Sequence, residues 1–435
     1  MSTLSTGNAS GNSPWVAKFP GMRTDNITLP AGSGGVMSNV MLVVGAVFIA
    51  ITFATGFMQL GGLGLKHALA SFHVGAMTVL AICLGSIFFC MIFHLVNAGW
   101  AGTVRKQFEN VASLIWIPIV MIVVVLAISV LKKDSPDALF SWMGSKALED
   151  VVLQRKAGYV NLPFFLIRAA VYIGIWLALA SMLTSFSRKY DETGDNAAAA
   201  RVRWRCAPAM ILFAFSTAFA AFDWLMGLDY SFFSTMWGVY YFSGCAFVSV
   251  TVVSMILGVL RRTGKLEGVV TKEHFHDLGK LSFAFTCFWA YIAFFQYFLI
   301  WYANIPEETA YYIARKSDGW EKLFALLMFG HFAAPFLVTI FRDVKKNPSA
   351  VIAVGCWLVF MQVADIFWIV RPVVYAGQSA QSTPGIATSW WLDGVGVMGP
   401  MLLFASFLVR KICSGTLVPL NDPRMREALN HKNYV

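Results

Sequence analysis

The stretch FAFTCFWAYIAFFQYFLIWYANIPEET, from Phe283 to Thr309, decides the fold class. From Phe283 to Ala303 it is aromatic and aliphatic, broken mainly by Thr286, Gln296 and its tyrosines. It then stops at an Asn, a Pro and two adjacent glutamates. About 20 apolar residues in a helix span the roughly 30 Å of a bilayer's hydrocarbon core. The segment therefore reads as a transmembrane helix that ends at Asn304 and Ile305, because proline biases the residue before it away from helix. Glu307 and Glu308 then fall at the membrane surface, and Gln296 lies about two turns below it.

The rest of the chain repeats this pattern. Apolar runs of spanning length lie at about 38–60, 71–98, 109–131, 163–187, 207–225, 232–260, 281–303, 321–341, 349–376 and 391–412. They are too long for membrane strands and lack the period-2 alternation of a barrel. The expected fold is an all-α integral membrane protein with ten transmembrane helices. Composition agrees: of 435 residues 58% are hydrophobic and only 13% charged, against about 25% charged in soluble domains. So few charges cannot build a solvated surface, so the net charge of +10 reads as loop charge that orients the chain, not as a nucleic-acid surface.

With the N-terminus inside, the cytoplasmic segments carry 22 Lys and Arg against 9 outside. Both termini are therefore expected in the cytoplasm. The organisation is a polar N-terminal extension over 1–37, a membrane domain over 38–412 and a cytoplasmic tail over 413–435. The first 35 residues lack the basic-then-apolar layout of a cleaved signal peptide. The seven cysteines form no CxxC pair and no Cys-His dipeptide. The chain therefore offers no covalent c-type haem site and no iron–sulfur ligand set.

Ionisable groups inside a membrane are costly and point to function. They are His94 near the inner end of the second helix, Arg168 near the outer end of the fourth and Asp223 near the outer end of the fifth. Asp229 follows in a very short external loop. His331 lies near mid-depth in the eighth helix, and Asp365 in the outer half of the ninth, with Arg371 further out. Asp223 sits at a helix C-terminus, where the macrodipole disfavours an anion, so it is expected either to pair with Arg168 or to carry a proton. Asp365 and Arg371 are six residues apart, which is the wrong spacing for one helical face. The partner of Asp365 is expected on another helix. Gln296 can simply bond a neighbouring helix, or it can line a polar route with Tyr291 and Tyr297 that opens onto Glu307 and Glu308. His94, His331 and His73 lie at three depths, which does not suit the paired axial ligands of a transmembrane b-type haem. No metal site is expected. His274 and His276, before the seventh helix, read as solvated loop residues, as a metal pair, or with Asp277 as the cytoplasmic mouth of a proton path.

Five stretches carry a family resemblance: GYVNLPFFLIRAAVYIGIW (158–176), YDETGD (190–195), FAAFDWLMGLDYSFFSTMWGVYYFSG (219–244), HDLGKLSFAFTCFWAYIAFFQYFLIWYANIPEET (276–309) and GHFAAPFLVTIFR (330–342). Together they resemble the ActF-type subunits of bacterial alternative complex III, a quinol:cytochrome c oxidoreductase. These subunits belong to the NrfD and polysulfide-reductase membrane-subunit superfamily. The resemblance runs from about residue 85 to 375. It implies two four-helix bundles, helices two to five and six to nine, with two peripheral helices, in a bacterial cytoplasmic membrane. It also implies a paralogous ActC-type membrane subunit, a multihaem cytochrome c subunit, an iron–sulfur subunit, and smaller membrane and cytochrome subunits as partners. Such a complex can associate with a haem–copper oxygen reductase. The haems and clusters would sit on those partners, with menaquinone or ubiquinone as the quinone this chain would meet among its lipids.

Three functions remain open at this point. In a proton-conducting subunit, His94 and His331 would serve the inner half of the route, and Asp223, Asp365, Gln296, the tyrosines and the glutamate pair the outer half. A quinol-binding subunit would use His73, Asp223 and Asp393 near the outer face. In a structural scaffold the buried charges would only pair.

Overall fold

In hydrocarbon every backbone N–H and C=O must be bonded within its own segment, which turns long apolar runs into helices. The computed structural model describes residues 20–58, 64–135, 137–145, 149–193, 196–316, 319–375, 390–422 and 424–433, and all regular structure among them is helical. Ten helices are long and apolar enough to cross a membrane. They are α1 Gly35–Met58, α2 Leu65–Leu95, α3 Arg105–Leu131, α4 Leu162–Lys189, α5 Ala200–Leu228, α6 Trp237–Arg262, α7 Lys272–Ala303, α8 Trp320–Thr339, α9 Pro348–Val374 and α10 Trp390–Cys413. The chain is a multi-pass membrane protein with the ten crossings expected from its sequence. Most of the polar N-terminal extension (1–19) and the stretch 376–389, which holds the end of the expected ninth helix and most of the following loop, lie outside the described residues.

Several helices begin earlier than hydropathy alone implies. Lys66 and His67, expected in a loop, belong to α2. His274, His276 and Asp277, also expected in a loop, form the first turns of α7. There the Thr271 backbone N–H donates to His274 Nδ1 at 3.1 Å, in a capping box that lets the helix start outside the apolar run. At the other end α7 stops at Ala303, with Asn304 in the left-handed conformation (φ 50°). Pro306 then opens a short helix, Pro306–Ile313.

Two crossings are distorted by proline. α3 is interrupted between Ala112 and Trp116, just before Pro118, which has no N–H for the turn preceding it. α8 contains a π-helical turn over Leu327–Ala333. Pro335 cannot donate to the His331 carbonyl, so the regular ladder breaks there. Trp357 Nε1 reaches across from α9 and donates to the Gly330 carbonyl at 2.8 Å.

α2 is the axis of the molecule, buried along most of its length and packed against α3, α5, α6 and α10. Its crossing with α6 is close because Gly85 faces the Cys245 backbone, where an added Cβ would come within 2.0 Å of the carbonyl oxygen. One turn of side chains further, Ser86 and Ser249 share a hydrogen bond at 2.8 Å. Small and hydroxylated residues of this kind let spanning helices approach where lipid supplies no hydrophobic drive. α7 and α9 both pack on α6, the π turn of α8 packs on both, and α4 packs on α5. α1 and α10 lie against each other, and the Leu417 N–H donates to the Ile27 carbonyl at 2.8 Å, so both ends of the membrane domain meet at one end of the bundle. Val43, Val47, Phe294, Phe298 and Trp301 leave apolar surface exposed, as lipid-facing positions should.

Candidate functional site

One face of α7 carries polar residues at helical spacing: His274, Asp277, Ser282, Thr286, Trp289 and Gln296 are all buried. From Asp277 to Gln296 that face runs about 28 Å along the helix axis, close to the hydrocarbon thickness of a bilayer. α6, α8 and α9 complete its surroundings.

Asp365 of α9 is 2% exposed. It accepts hydrogen bonds from Trp289 Nε1 at 3.1 Å and from the Tyr240 hydroxyl of α6. Among the described residues no Lys, Arg or His lies within ion-pair distance of it. The His331 ring, in the π turn, stacks on the same Trp289 at 3.8 Å and lies 4.8 Å from the Phe247 ring. Neither ring nitrogen of His331 has a hydrogen-bond partner among the described residues. Two buried amides have oxygens with no partner among the described residues: Gln362, one turn before Asp365 and packed against Gly244 of α6, and Gln296, whose Nε2 donates to the Tyr312 hydroxyl at 3.3 Å.

Next to this cluster lies a cavity of about 520 Å³, lined by Tyr240, Trp289, Tyr291, Gln296, Tyr297 and Tyr312 among others; Asp365 and His331 sit behind its Trp289 wall and do not line it themselves. Tyr291 and Phe294 are more than half exposed on its outer side. Towards the end where the termini lie, Thr251, Ser254, Ser282, Thr339 and Lys345 line a smaller cavity of about 30 Å³. There the Thr251 and Ser282 hydroxyls are 3.4 Å apart, and Thr286 donates to the Ser282 carbonyl.

Arg315, read from sequence only as external loop charge, is 2% exposed. It donates to the Trp368, Ile369 and Tyr311 carbonyls at 3.2, 2.9 and 3.0 Å, and its guanidinium lies over the Tyr311 ring. The first two carbonyls are among the orphan acceptors at the C-terminal end of α9, where a cation also suits the helix dipole. Burial lowers this guanidinium from the usual arginine range.

The other sequence candidates lie elsewhere. Arg168 grips Asp223 with two bonds, Nε to Oδ2 at 2.8 Å and Nη2 to Oδ1 at 2.7 Å, and Tyr172 adds a third at 2.9 Å. Arg371 donates to Asp393 at 2.9 Å, and His67 and Ser71 complete that carboxylate's partners at 2.8 and 2.6 Å. His73 bonds the Trp224 carbonyl at 2.8 Å. The cavity that Asp223 borders, about 180 Å³, is lined by neither His73 nor Asp393, so His73, Asp223 and Asp393 do not share it. His94 ends α2 and faces Arg424 of the tail at 3.4 Å. Asp229 accepts from Ser231 within its own turn. Glu307 and Glu308 occupy the first turn of the short helix after α7 and do not bond Gln296. Asp277 pairs with Lys280 and with His431 of the tail.

Gln296, Tyr291 and Tyr297 thus line one cavity, and Asp365 and His331 both contact the Trp289 side chain in its wall. Tyr240, Trp289, Tyr312, Gln362 and Arg315 belong to the same region and escaped the sequence reading. The α7 residues had a signal, the recurrence of polar side chains at spacings of three, four, five and seven that keep to one helical face. Tyr240 and Arg315 had none, because only the fold brings them to Asp365 and to the end of α9. No protein-family model matches the chain, and no curated protein matches it.

Proposed function

We propose that this chain is an ActF-like membrane subunit of a quinol:cytochrome c oxidoreductase of the alternative complex III type, and that α6–α9 carry a proton path through it. In this reading α2–α5 and α6–α9 are two four-helix bundles flanked by α1 and α10, and both termini face the cytoplasm of a bacterial inner membrane. An ActC-type paralogue, a multihaem cytochrome, an iron–sulfur subunit and smaller subunits would supply the redox centres and menaquinone or ubiquinone oxidation, with a haem–copper oxygen reductase downstream.

The observation that carries the proton path is Asp365, buried between two neutral donors and facing no cation among the described residues. A carboxyl held this way can gain and lose a proton without breaking an ion pair. On one side lies His331, with both ring nitrogens unpartnered among the described residues, and beyond it the hydroxyls of Thr286, Ser282 and Thr251. On the other side Gln296 and Tyr312 lead towards Arg315. Small cavities and hydroxyls are where water can complete such a relay. Affinity purification of the tagged chain from its native membranes tests the assignment: a multihaem cytochrome and an iron–sulfur protein should come with it in fixed proportion. Isolation as a lone chain would end the reading.

A second reading, quinone binding, is favoured by one observation. The aromatic cavity beside Asp365 has half-exposed walls at Tyr291, Phe294 and Met328, which suits a flat ring entering from lipid. Filling it with Ala293→Phe should slow quinol oxidation if quinone binds there, and leave the rate unchanged if the cavity serves only water.

A further inference from the structure

A different cavity, of about 700 Å³, opens where α2 ends and α5 begins, at the end of the bundle that holds both termini. Its walls include His94, Asn97, Arg203, Trp204 and Arg424, and among the described residues no carboxylate. Arg424 is fixed in place: its guanidinium donates to the Phe93 carbonyl at 3.2 Å and contacts Asp422 at 3.3 Å. Arg203 comes from α5 and is exposed. The cavity face of α5 is Ala200, Arg203, Trp204 and Ala207, the i, i+3, i+4, i+7 pattern of one helical stripe. Two alanines in that stripe leave room, and Trp204 stands 81% exposed beside it.

The stripe does not stop at the cavity. Further along α5 the exposed side chains include Ile211 and Phe215, at 60% and 62%. They follow Trp204 at i+7 and i+11, so a basic pocket runs directly into an apolar, lipid-facing track. Tryptophan is enriched at the level of lipid headgroups, and basic pockets between spanning helices hold anionic headgroups. A free phosphate or nucleotide would have no use for the apolar track, whereas a phospholipid needs both parts.

We propose that this cavity is a binding site for an anionic phospholipid, with its phosphate between Arg203 and Arg424 and an acyl chain along Trp204, Ile211 and Phe215. The site lies at the end of α2 and on α5, away from Asp365, and does not depend on the proton path.

The test is native mass spectrometry of the full-length detergent-solubilised protein titrated separately with phosphatidylglycerol, phosphatidylcholine and glycerol phosphate. Phosphatidylglycerol should bind about thirtyfold more tightly than phosphatidylcholine, the size expected of two arginines near an anionic headgroup. Arg203→Glu, a change at an exposed position, should abolish that preference while leaving the melting temperature unchanged. Ile211→Asn should weaken phosphatidylglycerol binding without altering the response to glycerol phosphate. Equal binding of the two lipids, or a preference that survives Arg203→Glu, would overturn the site. Displacement of phosphatidylglycerol by glycerol phosphate at equal concentration would overturn the lipid in favour of a free anion.

Discussion

The Trp289 indole N–H points at the Asp365 carboxylate at 3.1 Å, while the face of the same indole carries the His331 ring at 3.8 Å. One side chain of α7 therefore fixes the relative position of the two groups with which the proposed path is built. Trp289→Phe keeps most of the ring but removes the donor. Asp365 would then retain the Tyr240 hydroxyl alone, and losing one bond to a buried acceptor costs about 1–3 kcal/mol. The variant should assemble with a lowered melting temperature, and its proton coupling should weaken before its electron transfer does. Unchanged stability and coupling would mean that this bond does not position Asp365.

Arg168 and Asp223 form the tightest buried pair on the α4–α5 side, with two nitrogen–oxygen bonds and a tyrosine. Breaking such a pair on one side is costly, about 3–5 kcal/mol, whereas replacing both partners with apolar residues can be close to neutral. Thermal unfolding should accordingly show a large loss for Arg168→Met or Asp223→Leu alone and substantial recovery in the double variant. Additive losses would argue that the two residues act separately.

The C-terminal tail is held by charge at a site where pH has a calculable effect. Burial opposes ionisation of Asp422, but Arg105 and Arg424 outweigh it and hold the carboxyl down at about 2. An unfolded aspartate titrates near about 3.9. Because the folded value is the lower one, the ionised form stabilises the docked tail above about pH 4, and this contribution is lost as pH falls from about 4 towards 2. Hydrogen exchange over 414–433 should therefore be slow and constant between pH 5 and 8, after correction for its intrinsic rate. Asp422→Asn should accelerate it at pH 7. A tail that exchanges equally fast in both forms would refute the clamp.

The ten spans were legible in the sequence because each is a long apolar run, and all ten overlap their expected positions, although α2, α5 and α7 begin six, seven and nine residues earlier. Their ends were less so. Lys66, His67, His274 and Asp277 read as loop because they are polar, yet helix continues through them once a capping box or a neighbouring helix takes up their polar groups. The π turn at His331 is invisible to hydropathy, although Pro335 four residues later marks where the ladder must break. The site was half legible. Asp365 and His331 stand out because ionisable groups are rare in such runs, and the α7 stripe follows from its spacing. Arg315 could not be found this way: its burial depends on the short helix after α7 folding back so that Tyr311 and the end of α9 enclose it. Nor could Tyr240, whose neighbour in sequence, Tyr241, instead bonds the Met77 carbonyl of α2.

Orientation can be tested independently of chemistry. The junction of α4 and α5 should lie in the cytoplasm, since the adjoining ends of the two helices hold Arg188, Lys189, Arg201, Arg203 and Arg205. A reporter fused after Arg205 should be active only as a cytoplasmic marker. Periplasmic activity at that junction would invert the topology and place Asp365 in the opposite half of the membrane.

The central claim is that protons use Asp365, and the most direct measurement is the proton-to-electron ratio of the assembled complex carrying Asp365→Asn, reconstituted into sealed vesicles. Asparagine keeps the size and much of the hydrogen bonding of aspartate and removes its titration. The account predicts that quinol oxidation continues while the ratio falls. A ratio unchanged from the parent complex in Asp365→Asn would contradict it.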